Sequence, residues 1–487
     1  MGTRTRTTAG TIEGTQQGEV TVFRGVPFAA RPVGAARFAA PRPTQAWDGV
    51  RDATEFGPPP PQPGRSTEGD DWLTLTVWTP DPGRTGLPVI VWISGGGYLR
   101  CNSASPTLDG ATLAAGGVVV VSAHYRTGAE GFARLAGAPD NRGLLDQLAA
   151  LQWVQDNAAA FGGDPGNVTV FGQSAGAGSI AALLAMPASA GLFRRAILHS
   201  VPGTFFSTEL ADDISAEIAA EIGRTPRAAE LAALAPDDLV AAAAAVTGRL
   251  SKQLERWGGV ACTPTPFSPV VDGEVLPEAP WPALARGAAR DLELLVAHTR
   301  DEYAFLADLL GVEETAVDHV DPTPGLARYR ASGAFTADEL RDNAMADWLM
   351  RMPTLHLAEA ALVGGARVWL AELLWGFAPA GATHSLDTLL VYGTADFRGE
   401  ITAAGPAALA QAQRLGEVMR AEHLAFVAKG DPGWTPYDLA TRRTRVYDAE
   451  PAVLPYPEER SRELWRGLRF GVLGLSGSRS SAPRPSS

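Results

Sequence analysis

Short apolar, β-branched runs recur along the chain with helical patterns between them. Leu87 to Ile93, Val118 to Ser122, Val168 to Phe171, Ala196 to Leu198 and Leu292 to Ala297 are predicted strands. None of them alternates polar with apolar positions, which marks strands covered on both faces, as in a parallel sheet. Between two of these runs Leu144, Leu145, Leu148, Leu151 and Val154 recur at helical spacing, with Asp146, Gln147 and Asp156 on other faces, as a crossover helix between parallel neighbours requires. The predicted class is α/β, a mostly parallel central sheet flanked by helices. Gly57 to Gly64 holds five prolines and reads as a surface loop, because strand-like alternation resumes at Trp72 to Trp78. Residues 209–250 and about 311–365 have helical patterns and are predicted to be cap-like insertions, the first a solvated helical pair. One unit spanning 1–475 is expected, followed by a disordered tail, 476–487, too poor in apolar residues to repay ordering.

Composition narrows the classes of partner. The chain has 487 residues and a net charge of −13, which repels phosphate backbones and anionic membrane surfaces, so nucleic acid and membrane are not expected partners. No apolar run approaches the roughly 20 residues of a membrane span. The first residues carry arginines with no apolar segment behind them, unlike a secretory leader, so a cytoplasmic location is expected. The two cysteines, Cys101 and Cys262, are read as free thiols. Neither has metal-ligand spacing, and no cofactor is implied.

The candidate chemistry begins at Val168-Thr-Val-Phe-Gly172-Gln-Ser174-Ala-Gly176, an apolar strand, a G-x-S-x-G turn and then small residues that open a helix. This is the pattern of a nucleophile elbow: the turn holds the serine in strained geometry, and the flanking glycines supply the room. Acyl transfer through a serine also needs donors aimed at the developing oxyanion. In such an architecture these are the N–H after the nucleophile and those of a Gly-rich loop after an earlier strand. Leu87 to Ile93 runs into Ser94-Gly95-Gly96-Gly97-Tyr98, so Gly96, Gly97 and Ala175 are the candidate donors.

The order serine, acid, histidine sets aside His124 and His199 and leaves His298, His319, His356, His384 and His423. His384 is favoured by its short loop after the strand-like Ala366 to Leu374. Among the acids Glu302 is best placed, in the loop after the Leu292 strand, with Asp301 and Asp272 as rivals. A turn-forming role is the plainer reading of Asp272.

With these residues assembled, the chain resembles the type-B carboxylesterase family, which includes bacterial para-nitrobenzyl esterases and animal cholinesterases. The resemblance runs through Gly10 to Gly14, Phe23 to Gly34, Arg37-Phe38, Ala46 to Gly49, Leu73 to Pro80, Gly143 to Asn157 and Phe161 to Val170. It implies an α/β-hydrolase fold and a carboxylic ester hydrolase; the expectation of small or medium, apolar or aromatic esters comes from the aromatic residues named below. It also implies a triad of Ser174, Glu302 and His384, and so decides between Glu302 and Asp301. Several positions depart from the family's pattern: Ser94 where a histidine is common, Gln173 for a glutamate, His124 for an asparagine, Trp72 for a cysteine, and Val201 for the glycine after Ser200. None removes a catalytic group. Phe205 and Phe206 fall near the implied acyl pocket, and with Tyr98 and Tyr303 they are expected to line an apolar gorge. The same triad could serve an acyltransferase or a lactone-processing enzyme, and triad-less members of the family are binding modules.

Overall fold

A computed structural model describes residues 2–476 apart from 305, 307–309, 334, 378–380 and 398. The predicted tail lies, but for Ser476, outside the described residues. Among these residues thirteen strands form one sheet: β1 Thr3–Arg6, β2 Thr11–Gln17, β3 Val20–Pro27, β4 Val50–Asp52, β5 Thr74–Thr79, β6 Leu87–Ile93, β7 Val119–Ala123, β8 Gly163–Gln173, β9 Arg195–His199, β10 Glu293–Thr299, β11 Arg367–Leu373, β12 Arg443–Tyr447 and β13 Ala452–Pro455. They lie in the order β1-β2-β3-β5-β7-β6-β8-β9-β10-β11-β12-β13, with β4 beside β2. Neighbours from β7 through β6, β8, β9, β10 and β11 to β12 pair in parallel. The flanking pairs, among them β5 with β7 and β12 with β13, are antiparallel, except that β4 runs parallel to β2.

The missing polar alternation has its reason in the two faces of this sheet. Val89, Val91, Val168, Val170, Leu294 and Val296 belong to one core cluster, together with Leu144, Leu151, Ile180 and Leu355 of the helices Arg142–Asn157, Ala175–Ala185 and Met352–Val363. Ile90, Trp92, Phe171, Ile197, Leu295 and Trp369 face the other way, onto Leu386 and Leu390 of Leu386–Tyr392 and Met419 and Phe426 of Pro406–Lys429. Strands covered on both sides have no solvent face to mark with polar residues. β8 starts at Gly163, ahead of its apolar run, and residues 164–167 there are partly buried or exposed.

The crossover helix Arg142–Asn157 departs from its simple amphipathic reading. Asp156 is exposed, but Asp146 and Gln147 are buried. Arg126 holds Asp146 with two parallel bonds, Nε to Oδ2 at 2.8 Å and Nη2 to Oδ1 at 2.7 Å, and spends Nη1 on the carbonyls of Arg37 and Ala39. A buried carboxylate needs such a partner. Gln147 donates to Ser179 Oγ of the neighbouring helix at 3.1 Å.

Within 209–250 the helices Thr208–Ala220 and Pro236–Thr247 turn an apolar side inward, with Leu210, Ile214, Ile218, Leu239 and Val246 buried. Ser207 caps the first, accepting from Leu210 N at 3.2 Å. Between 311 and 365 lie the helices Leu326–Ser332, Ala337–Ala346 and Met352–Val363. Cys101 and Cys262 are both free and buried. Among the described residues no helix is long and apolar enough to cross a membrane.

Candidate active site

The centre of the site is the turn from β8 into the helix Ala175–Ala185. Ser174 has φ 57° and ψ −129°, a conformation a non-glycine residue holds only when its surroundings over-determine it. Here they do. Its N–H donates to His199 O and its carbonyl accepts from Gly178 N, both at 2.9 Å. A Cβ on Gly172 would lie 2.7 Å from the Gly176 carbonyl carbon, and one on Gly176 would collide with Ile93 O. Gly176→Ala is therefore expected to destabilise the fold by about 2 kcal/mol, the usual cost of overpacking, read as a lower urea midpoint. An unchanged midpoint would mean that the turn is slack.

The glycine loop lies against this elbow. Gly96, Gly97 and Tyr98 have φ of 111°, 63° and 58°, and a Cβ on Gly95 would sit 2.6 Å from Gln173 O and 3.4 Å from Ser174 Cβ. Tyr125 anchors the start of the loop, donating from its hydroxyl to Ser94 O at 2.7 Å. Among the described residues, the N–H groups of Gly96 and Gly97 have no backbone or side-chain acceptor. Ala175 opens its helix, where first-turn N–H groups lack intrahelical partners.

Beyond β10 the chain brings Glu302 and His384 together. Glu302 is 1% exposed; its Oε2 lies 2.5 Å from His384 Nδ1, and its Oε1 accepts from Ser200 Oγ at 2.6 Å and Thr299 N at 2.8 Å. Three hydrogen-bonding groups thus converge on one carboxylate. Asp301 plays a different part, since its N–H donates to Ala382 O at 3.0 Å and its Oδ2 accepts from Ala382 N at 2.7 Å. It thus fastens the His384 loop to the Glu302 loop. Asp272 lies in a turn, its Oδ1 accepting from Glu274 N and Leu276 N at 2.9 Å.

On its other side, His384 Nε2 is 2.9 Å from Gln173 Nε2. An amide nitrogen can only donate, so Nε2 is the bare nitrogen and Nδ1 carries the proton toward Glu302. The imidazole therefore lies against the residue that precedes Ser174. The rival histidines are elsewhere. His298 bonds Thr299 O and the Tyr456 hydroxyl, His356 packs on Phe470, and His423 meets His199.

The four aromatics expected to line a gorge are all buried. The Tyr98 ring packs on Phe132, Phe205 stands edge-on to Trp281, Phe206 bridges to Val270 and Leu473, and the Tyr303 hydroxyl donates to Cys262 O at 2.8 Å. Apart from the backbone bridges of Phe206, these are contacts of core side chains.

Sequence reasoning did not assign Ser200, Gln173 or Asp301 to this network. The departure at Gln173 and the Asp301-Glu302 pair were visible, but a short hydroxyl reaching a carboxylate 102 positions away leaves no local pattern. No group of His, Cys, Asp and Glu among the described residues could hold a metal ion.

Residues 2–323 match the model of the carboxylesterase family. The chain belongs to that family. It is a carboxylesterase with the α/β-hydrolase fold. It is 35% identical to the para-nitrobenzyl esterase of Bacillus subtilis (strain 168), across 93% of this chain and 96% of that protein. It is 30% identical to human carboxylesterase 3, across 94% and 89% of the two. Among solved structures, a PNB esterase superposes with a TM-score of 0.82 at 34% identity, covering 95% of this chain and 99% of that one. Carboxylesterase EST55 of Geobacillus stearothermophilus does so with 0.85 at 32%, covering 95% and 100%.

Proposed function

We propose that this carboxylesterase cleaves esters through a Ser174–His384–Glu302 triad and an acyl-enzyme on Ser174. The observation that carries the reading is the 2.5 Å contact of His384 Nδ1 with the buried Glu302 carboxylate, made while the bare Nε2 lies against the Gln173-Ser174 turn. A histidine held in that tautomer can take a proton only at Nε2, the nitrogen that lies beside Gln173, the residue preceding Ser174. For transfer to begin, the Gln173 amide yields that nitrogen to the Ser174 hydroxyl, a tightening common when substrate enters.

Ser174 Oγ then attacks the ester carbonyl carbon as its proton passes to His384. The carbonyl oxygen becomes an oxyanion received by the N–H groups of Gly96, Gly97 and Ala175, each worth about 3 kcal/mol. Collapse expels the alcohol, which takes the proton from His384. Water attacks the acyl-enzyme by the same route, releasing the acid and restoring Ser174.

The substrates proposed are uncharged esters with small or medium, apolar or aromatic parts. The support for this reading is that Tyr98 adjoins Gly97 of the glycine loop and Tyr303 adjoins Glu302, while Phe205 and Phe206 make core contacts. Named relatives act on varied esters: a Sphingopyxis macrogoltabida protein 39% identical over 63% of this chain is a fumonisin B1 esterase. Para-nitrophenyl butyrate is expected to turn over at least about tenfold faster than the para-nitrophenyl half-ester of succinate, since burying an unpaired carboxylate in an apolar site costs more than about 1.4 kcal/mol. Equal rates, or a preference for the charged ester, would contradict the apolar assignment.

A further inference from the structure

The Glu302 carboxylate is held by donors from two separate strand ends, and one helical turn ties both of those ends. Ser200, whose Oγ donates to Oε1, follows the last residue of β9, and Thr299, whose N–H donates to the same oxygen, is the last residue of β10. A carboxylate shared in this way is only as well placed as the span between the two ends.

Against both ends packs Asp347–Arg351, a turn of π-helix between the helices Ala337–Ala346 and Met352–Val363, all five of its residues buried. Met352 N donates to Asp347 O, five residues back, so the turn is wider than the α-helix on either side. Pro353 has no N–H to offer Leu349 O, the carbonyl four residues before it, and that carbonyl accepts from Gly203 N at 2.8 Å. Just beyond, Thr354 Oγ1 accepts from Val201 N at 2.8 Å. The Ser200 end is thus tied at the residue after Ser200 and again at Gly203, where a Cβ would lie 2.8 Å from Pro353 Cγ.

Arg351 ties the other end. Its Nη1 donates at 3.0 Å to Arg300 O, the carbonyl that links Thr299 and its neighbour to Asp301 and Glu302. The guanidinium is fully buried and fixed along its remaining edges, with Nε donating to Asp347 Oδ1 at 2.8 Å and Nη2 to Asn343 O and Oδ1 at 3.2 Å. Asp347 Oδ2 accepts in turn from the Tyr329 hydroxyl at 2.8 Å, and that hydroxyl accepts from Trp465 Nε1 at 2.6 Å. A planar fork engaged on every edge holds the Arg300 carbonyl at a fixed distance from the helix, which a flexible ammonium does not.

We propose that Arg351 is a positioning residue for Glu302, and that Asp347–Thr354 is the bracket that sets the span between the Ser200 and Thr299 donors. An error of about 1 Å in a triad member costs up to about a hundred-fold in rate, so the bracket governs the chemical step without touching substrate.

Arg351→Lys keeps a cation beside Asp347 but loses the fork. For para-nitrophenyl butyrate, kcat and kcat/KM are expected to fall together by at least about tenfold, with KM kept within about twofold. In a Glu302→Gln background the same substitution should change kcat by less than about twofold, because the group it positions is already lost. A role in stability alone would lower kcat by one factor in both backgrounds; that result, or an undiminished kcat in folded Arg351→Lys, overturns the proposal. Should Arg351→Lys not fold, Thr354→Val decides by the same comparison, since it keeps the side chain's shape and removes the acceptor of Val201 N–H. A loss of at least about threefold confined to the wild-type background supports the bracket, and an equal loss in both backgrounds, or none, overturns it. The bracket rests on Glu302 being the triad acid: a Glu302→Gln enzyme that itself loses less than about tenfold overturns the triad reading and the bracket with it, an outcome distinct from either comparison.

Discussion

Ser174→Ala is expected to lower kcat for para-nitrophenyl esters by about a million-fold, the order found when such a nucleophile is removed. The size of the loss follows from the division of labour at the elbow. The glycine loop and the Ala175 N–H would remain, and they alone would leave a residue of about a thousand-fold over water. What disappears is the covalent route, because alanine offers no oxygen at the apex that the φ 57° turn presents. The substituted residue keeps the N–H to His199 O and the carbonyl to Gly178, so the fold and its urea midpoint should hold. A loss under a hundred-fold in a folded variant would place the nucleophile elsewhere.

Glu302→Gln should cost about ten-thousand-fold in kcat, the scale set when a triad acid becomes its amide. The orientation of the amide is dictated by the surroundings. Thr299 N–H points at the Oε1 position and can only donate, as does the Ser200 hydroxyl in the structure, so the glutamine oxygen must occupy that side. Its NH2 then faces His384 Nδ1, where it also can only donate. The ring must respond by baring Nδ1 and moving its proton to Nε2, which presents Ser174 with a donor where a base is needed. Loss of the buried charge also removes the stabilisation of the imidazolium formed during attack. Measured at pH 8 with stability followed alongside, a fall under tenfold would show that Glu302 is not the acid.

The fold was legible because a two-sided parallel sheet writes itself as unbroken apolar runs, and β6 matches Leu87 to Ile93 residue for residue. The elbow was legible because strain restricts its neighbours to small residues. His384 and Glu302 were harder. Five histidines satisfied chain order, and the resemblance decided where spacing did not; in space, the 2.5 Å contact separates His384 from the others. Burial of polar groups was the main thing hidden. Asp146 reads as a solvent face of its helix until Arg126 is seen upon it, and His199 and His423, 224 positions apart, become a pair only when β9 meets the helix Pro406–Lys429. Such contacts follow from the crossing of distant elements, which no local period records.

The measurement closest to the central claim is the intact mass of the protein after exposure to an organophosphate. A serine activated as proposed attacks phosphorus as it attacks an ester carbonyl and is left esterified. One adduct per chain, located on Ser174 and absent from Ser174→Ala, is the predicted result. A folded wild-type protein that acquires no adduct, or acquires it elsewhere, would contradict the assignment.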